Sequence, residues 1–264
     1  MDTTILKGKW ALVTGASSGL GVDFAKQLAA IGCHLILVAR REDRLRAVAD
    51  QITTQYGVQV EIVILDLSLP EAPQTLYDQL KTAGRRVDVL INNAGYGLYG
   101  EFTQLDWQRE QNMLQLDIMT VTHLTKLFVR DMVVRNFGYV LQVASIGAYQ
   151  PSPLYATYSA AKSFVLNFSE AVNYELRKTA VKLTVISPGV TKTEFLAVSG
   201  QQPTFYQRMA MMQSPDVVRI GLNAMLRGKP SVIPGTINAV TIFLNRLLPR
   251  RLIAALAYRT MQSK

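Results

Sequence analysis

A tyrosine and a lysine stand four positions apart in the stretch YATYSAAKSF (155–164), at Tyr158 and Lys162. A free phenol titrates near ~10 and a lysine amine near ~10.4, so neither alone is an acid–base catalyst at neutral pH. At i and i+4 of a helix the two side chains share one face. An ammonium held beside a phenol favours the phenolate and lowers its pKa, which makes Tyr158 a usable proton donor and acceptor. The rest of the chain has to supply a reaction for that proton.

The segment ALVTGASSGLGVDFAKQL (11–28) reads as strand, glycine-rich turn and helix. Gly15, Gly19 and Gly21 follow G-x-x-x-G-x-G spacing rather than the G-x-G-x-x-G dinucleotide fingerprint. The physics is shared: glycines permit a tight turn, and the helix N-terminus offers unpaired N–H groups to a phosphate. The next strand ends at Ala39, without the acid that would accept from an adenosine ribose hydroxyl, and Arg40 and Arg41 follow. A guanidinium binds phosphate through charge and a planar fork, so this pair points to NADP(H). Arg40 is the expected 2′-phosphate ligand, with Ser17 donating to the same group.

These motifs need elements to hold them. Continuous apolar runs at 9–15, 34–40, 60–66, 87–95, 139–145 and 181–187, with a weaker one at 231–234, predict strands buried on both faces. Helical patterns at 20–31, 42–56, 70–83, 106–135, 157–178 and 215–227 lie between them, with Gly32 after the first and Pro70 at the start of the third. Ser214-Pro215-Asp216 reads as a cap with proline at the first helical position. The alternation predicts an α/β fold: a doubly wound parallel sheet of about seven strands in a Rossmann-type three-layer sandwich. Residues 1–235 form one domain in this reading, and 236–264 a C-terminal extension.

Composition narrows the function classes. The chain has 264 residues, 49% hydrophobic and 18% charged, enough for one sizeable core. Its one cysteine, Cys33, excludes an internal disulfide and reads as core; His34 and His123 are too isolated for a metal site. The N-terminus lacks a signal-peptide pattern and no apolar run reaches the ~18 residues of a membrane span, so a cytoplasmic location is expected. The net charge of +9 is uneven: residues 217–264 hold eight basic residues and no acid. The body is nearly neutral, which argues against a nucleic-acid-binding surface.

Together with NNAG (92–95), these features resemble the short-chain dehydrogenase/reductase family over about residues 8–235. The resemblance implies that Gly15, Ser17, Ser18, Gly19, Leu20 and Gly21 form the cofactor-phosphate loop. It implies Asp66 and Leu67 beside the adenine, and Asn93, Ala94 and Gly95 beside the cofactor at the end of the fourth strand. Pro188, Gly189, Val190 and Thr193, in SPGVTKT (187–193), match the segment beside the nicotinamide. Ser145, thirteen residues before Tyr158, matches the family's catalytic serine, which hydrogen-bonds the substrate oxygen as alkoxide character develops. Tyr158 is then the general acid/base of a ketone or aldehyde to alcohol interconversion, and Lys162 also grips the nicotinamide ribose. The family commonly forms dimers or tetramers. One position departs from its pattern: many members carry an asparagine where this chain has Asp117, and that residue helps hold a water leading to the lysine. Asp117 either keeps this relay by accepting hydrogen bonds, or pairs with Lys162 and weakens its pull on Tyr158. In the second case a catalytically weakened, nucleotide-binding regulatory protein of the same fold is the alternative.

The segment 190–213 lies where the family keeps its variable substrate loop. Phe195, Phe205, Tyr206, Met209, Met211 and Met212 make it apolar and adaptable, with Tyr96, Tyr99, Tyr149, Leu154 and Tyr155 as an opposite wall. A bulky or hydrophobic carbonyl substrate is expected, such as an acyl, aromatic or steroid-like compound. The tail 236–264 reads as two short amphipathic helices broken at Pro249, with basic flanks. It either docks peripherally on an anionic membrane, where a lipid, steroid or 3-oxoacyl substrate would be met, or packs over the substrate cleft or another subunit.

Overall fold

The computed structural model describes residues 3–262; Lys264 of the basic tail lies outside that range, as do the side chains of Phe205 and Tyr206. Seven strands form one parallel sheet: β1 (Trp10–Thr14), β2 (His34–Ala39), β3 (Val60–Ile64), β4 (Val87–Asn92), β5 (Gly138–Val143), β6 (Val181–Ile186) and, at the far edge, the two-residue β9 (Ser231–Val232). Their order is β3-β2-β1-β4-β5-β6-β9. The chain therefore reverses its winding direction between β1 and β4, and the ends of these strands open a crevice there.

Both faces of the sheet are covered, as the continuous apolar runs require. Ala11 and Val13 of β1 point into one core and Leu12 into the other; Leu35 and Leu37 of β2 alternate with Ile36 and Val38 in the same way. The first core is closed by α1 (Gly19–Ala30), α2 (Glu42–Tyr56) and α9 (Ser214–Leu226). The second is closed by α3 (Ala72–Thr82), α5 (Val121–Val134) and the end of α6 (Ala156–Glu175). Cys33 is buried in the first core and donates to the Leu6 carbonyl at 3.4 Å. Burial, then the nearby Asp88 carboxylate, pushes its thiol up to about 12.

Local differences from the sequence expectations have physical reasons. The third helix begins at Ala72, so Pro73 rather than Pro70 occupies its first turn, where a missing N–H costs nothing. Ser214 is the first residue of α9, and Gln213 takes the cap position expected of Ser214. The single helix expected at 106–135 is interrupted. It runs as α4 (Trp107–Leu114), a π-helical turn over Gln115–Thr120, and α5. A π-turn inserts an extra residue into the helical register, and such turns concentrate at functional sites. This one carries Asp117.

The segment 190–213 is ordered into a small parallel pair, β7 (Thr191–Lys192) with β8 (Met212–Gln213), and two short helices, α7 (Phe195–Ser199) and α8 (Phe205–Ala210). The tail forms α10 (Thr236–Asn245) and α11 (Arg250–Met261), separated at Pro249. Among the described residues no helix is long and apolar enough to cross a membrane.

Candidate active site

One cavity of about 610 Å³ runs along the crevice, from the turn after β1 to the start of α6. At one end lies the glycine-rich turn. A Cβ on Gly21 would fall 2.1 Å from the Gly15 carbonyl oxygen, so no other residue fits there without unwinding the turn. Gly21 thus shapes the loop from behind and does not line the cavity, whereas Gly15, Ser17, Ser18, Gly19 and Leu20 do. No side chain caps the N-terminus of α1, which leaves its first-turn N–H groups for an anion in the cavity. The NNAG segment is tied to this loop. Thr14 Oγ1 accepts from the Asn93 and Ala94 amides, both at 2.9 Å, and the Asn93 side chain donates to the Thr14 carbonyl at 2.8 Å.

Arg40 and Arg41 line the same cavity and point to different partners. Arg40 pairs with Asp66 at 3.3 Å. Burial opposes ionisation of Asp66, but the Ser68 amide and hydroxyl and the Arg40 guanidinium outweigh it, and its carboxyl sits below the ordinary range. Arg41 donates to Ser17 Oγ at 3.3 Å and pairs with Glu194 at 3.1 Å, while Arg44 reaches Glu194 at 2.6 Å. The guanidinium beside Ser17 is therefore that of Arg41, while Arg40, the expected 2′-phosphate ligand, faces Asp66 in the same cavity. Two adjacent arginines cannot be ranked from sequence without the turn that aims them. Leu67, Asn93, Ala94, Gly95, Pro188, Gly189, Val190 and Thr193 all line the cavity, as the expected cofactor path requires.

At the other end Ser145 follows β5, and Tyr158 and Lys162 project from α6 into the same space. Ser145 Oγ accepts from the Gly147 amide at 3.1 Å, which fixes its side chain in the turn. Tyr158 is half-buried and closed in by Phe195, with ring centroids 5.3 Å apart, and Tyr155, at 5.7 Å. Lys162 is buried, donates to the Val143 carbonyl at 3.3 Å, and stands 5.6 Å from the Tyr158 ring centre.

Asp117 lies behind this group, fully buried and away from the cavity wall, with its carboxylate 3.0 Å from Lys162 Nζ. The Tyr96 amide donates to its other oxygen at 3.3 Å. Burial raises the Asp117 pKa, and the Lys162 ammonium works against that. The pairing changes the electrostatics expected of the tyrosine. Seen from the phenol, the ammonium is matched by a carboxylate. Burial, then the Asp117 charge, holds the Tyr158 pKa above that of a free phenol, countered by a hydrogen-bonding contact with Ser145. This pairing is the second of the two alternatives for Asp117, and it sets a carboxylate against the pull of Lys162 expected from spacing.

The substrate end differs in detail from the expected wall. Tyr96, Tyr155 and Phe195 line it. Tyr149, Leu154, Met209, Met211 and Met212 do not: Met209 is exposed, and Met212 packs on the first core. Tyr99 supports from outside, packing on Tyr155 and donating to the Met261 carbonyl at 3.0 Å. Met261 itself lines the cavity, with Gln201 and Gln207. Gln201 donates to the Met261 carbonyl at 2.9 Å and accepts from Tyr155 at 2.9 Å and from Gln207 at 3.0 Å. The end of the tail is thereby fixed to the substrate loop, over the cleft. Packing over the cleft was one of the alternatives for the tail, but nothing in the types or spacing of Gln201, Gln207 and Met261 marks them as the residues that make the contact.

A model of short-chain dehydrogenases matches residues 9–204. The chain belongs to that family. Very-long-chain 3-oxoacyl-CoA reductase from Anas platyrhynchos is 33% identical over 75% of this chain and 64% of its own. The enzyme of the same name from Rattus norvegicus is 28% identical over 92% and 76%. A 7beta-hydroxysteroid dehydrogenase from Collinsella aerofaciens is 31% identical over 72% and 71%. The matched stretch thus spans less than two thirds of the duck protein. Among solved structures, one of a 7beta-hydroxysteroid dehydrogenase superposes with a TM-score of 0.87, at 25% identity, over 97% of this chain and 99% of that one. A short-chain dehydrogenase from Sphingobium yanoikuyae in complex with NADPH has a TM-score of 0.80, at 28% identity, over 90% and 94%.

Proposed function

We propose that this short-chain dehydrogenase is an NADP(H)-dependent oxidoreductase that interconverts a bulky or hydrophobic ketone or aldehyde and its alcohol. One observation carries the reading. A single cavity joins the uncapped N-terminus of α1 and the Arg40–Arg41 pair to the Ser145, Tyr158 and Lys162 side chains. The residues fit a dinucleotide: N–H groups and arginines for its phosphates at one end, and Val190 and Thr193 for its ring at the other. When bound, the nicotinamide supplies the hydride.

The chain's own groups handle the proton and the position. Tyr158 Oη holds the proton that a carbonyl oxygen takes up on reduction and receives it back on oxidation. Burial and the Asp117 charge keep the phenol protonated before the carbonyl arrives, and proton transfer then relies on Lys162 and the bound cofactor to favour the phenolate. Ser145 Oγ hydrogen-bonds the same oxygen as negative charge develops. Lys162, fixed by Asp117 and Val143, holds the ribose side of the site. Phe195, Tyr155 and Met261 exclude water and favour an apolar substrate body. The names of the 3-oxoacyl-CoA and hydroxysteroid relatives support a substrate of this size. On α6 the stacked rings of Phe164 and Phe168, 5.8 Å apart with Phe164 exposed, support self-association through the long helices.

The test is NADPH oxidation across a panel of steroid, aromatic and 3-oxoacyl carbonyl compounds, with Tyr158→Phe as control. Turnover that falls on the order of a hundredfold or more in Tyr158→Phe, with NADPH binding intact, is expected. Tight NADPH binding with no turnover on any compound overturns the reading in favour of the regulatory protein.

A further inference from the structure

The tail presents a surface that the oxidoreductase reading leaves unused. On α10 the buried side is Asn238 and Ile242. The opposite side carries Ile237, Val240, Phe243 and Leu244 at helical three- and four-residue spacing, and runs on into Leu247 and Leu248. Ile237 is 64% exposed, Phe243 62% and Leu247 71%. On α11, Ile253 and Ala257 are buried, while Leu252 and Leu256 are exposed one turn apart, flanked by Arg251 and Arg259. Single exposed apolar side chains are ordinary, but eight along two consecutive helices and the turn between them mark a surface that meets something.

Charge says what it meets. Residues 217–264 contain no acid. None of Arg246, Arg250, Arg251 and Arg259 forms an ion pair with a described residue. Arg246 and Arg250 border a second cavity, of about 200 Å³, between the tail and the turn before α6, shared with Tyr149, Asn245, Ile242 and Leu248. Two arginines thus border a cavity at the edge of an apolar face. A second copy of this chain docked face to face would bring like charges together, which opposes association. An anionic bilayer surface satisfies both halves: acyl chains cover the apolar side chains, and headgroup phosphates meet the arginines.

We propose that α10 and α11 dock the protein peripherally on an anionic lipid surface, with Arg246 and Arg250 taking a lipid phosphate in the small cavity between them. The helices lie in the interface and do not span it. The same α11 ends at Met261 in the substrate cavity, so one helix carries a face for lipid and an end for the active site. The inference stands on the tail alone and does not need the reaction assignment.

The experiment is co-sedimentation of the full chain with phosphatidylcholine vesicles, with and without phosphatidylglycerol, at low and raised salt. The comparison is with Phe243→Ser/Leu247→Ser and with Arg246→Gln/Arg250→Gln/Arg251→Gln, and NADPH binding and circular dichroism check the fold of each. The wild type is expected on the anionic vesicles only, with binding weakened by salt. The apolar pair is expected to lose on the order of tenfold in partitioning, and the arginine triple on the order of tenfold or more. Absence of wild-type binding to anionic vesicles overturns the proposal. So does equal binding by either variant. A dimer that Phe243→Ser/Leu247→Ser dissociates, with vesicle binding unchanged, reassigns the face to a contact between copies.

Discussion

The Lys162 ammonium stands 3.0 Å from the Asp117 carboxylate, in a buried pair one helix face behind Tyr158. The pair sets what the tyrosine experiences. Removing the negative charge and keeping the shape isolates its effect. Asp117 is one of the causes that raise the Tyr158 pKa, so Asp117→Asn lowers it. In alcohol oxidation the phenolate is the base, and the rising limb of the pH–rate profile moves to lower pH. Turnover is kept or increased. A profile that does not move, or a collapse in turnover with the fold intact, rules out this role. Asp117→Ala removes the shape as well and leaves a buried cation unpaired, at a cost of about 3–5 kcal/mol in urea unfolding.

Arg41 and Glu194 face each other at the end of the cavity beside Ser17. Arg41 is held between Ser17 and Glu194, and a 2′-phosphate would compete with the Glu194 carboxylate for the same guanidinium. Arg41→Ala is expected to weaken 2′,5′-ADP binding by about tenfold to a hundredfold and to leave 5′-AMP binding unchanged. Glu194→Gln is expected to act the other way. Calorimetric titration of both nucleotides checks each arm. Arg44 and then Arg41 hold the Glu194 carboxyl below its usual value of 4.5. Its ion pairs are therefore complete above that value and are lost as pH falls through the depressed one. Because the pair is exposed, this loss costs no more than about 1 kcal/mol.

Cys33 is expected to be silent. A thiol pushed up to about 12 is almost wholly protonated at pH 8, and it is buried besides. A thiol reagent should label nothing in the native protein and one site after denaturation. Rapid native labelling at pH 8 would show that the first core opens at the α1–β2 junction.

The layers and the glycine-rich turn at the cavity were legible because they rest on local patterns. Apolar runs such as HLILVA bury both faces and so read as strands of a covered parallel sheet, and the glycines after β1 mark the turn through their own backbone freedom. Tyr158 and Lys162 were legible because helical spacing places them together. What the sequence did not reveal depends on contacts between distant segments. The π-turn at Gln115–Thr120 sits within an ordinary amphipathic pattern, and its extra residue shows only in the backbone. Gln201 and Met261 lie sixty positions apart and meet because the tail folds back over the substrate loop. Arg40 and Arg41 were indistinguishable until the chain's exit from β2 aimed one at Asp66 and the other at Ser17.

Gly95 offers the sharpest steric test of the site. A Cβ there would lie 2.7 Å from Asp117 Oδ1 and 3.1 Å from Lys162 Nζ. Neither group can move away freely: Asp117 is enclosed by the π-turn, and Lys162 is held by the Val143 carbonyl. A methyl group must therefore push the pair apart or shift the NNAG backbone along the cavity wall. Gly95→Ala is expected to cost about 1–3 kcal/mol in stability, as overpacking does in a tight interior. The displaced lysine loses its fixed position, so turnover falls more than nucleotide binding at the distant Arg41 end, where nothing has moved. Combining the variant with Asp117→Asn leaves an oxygen or nitrogen at the same place and does not relieve the clash. Combining it with Asp117→Ala removes the obstructing atom and recovers part of the stability that the two changes would cost if they added. Unfolding midpoints of the four proteins check this, and simple additivity would mean that the Cβ and the carboxylate do not meet.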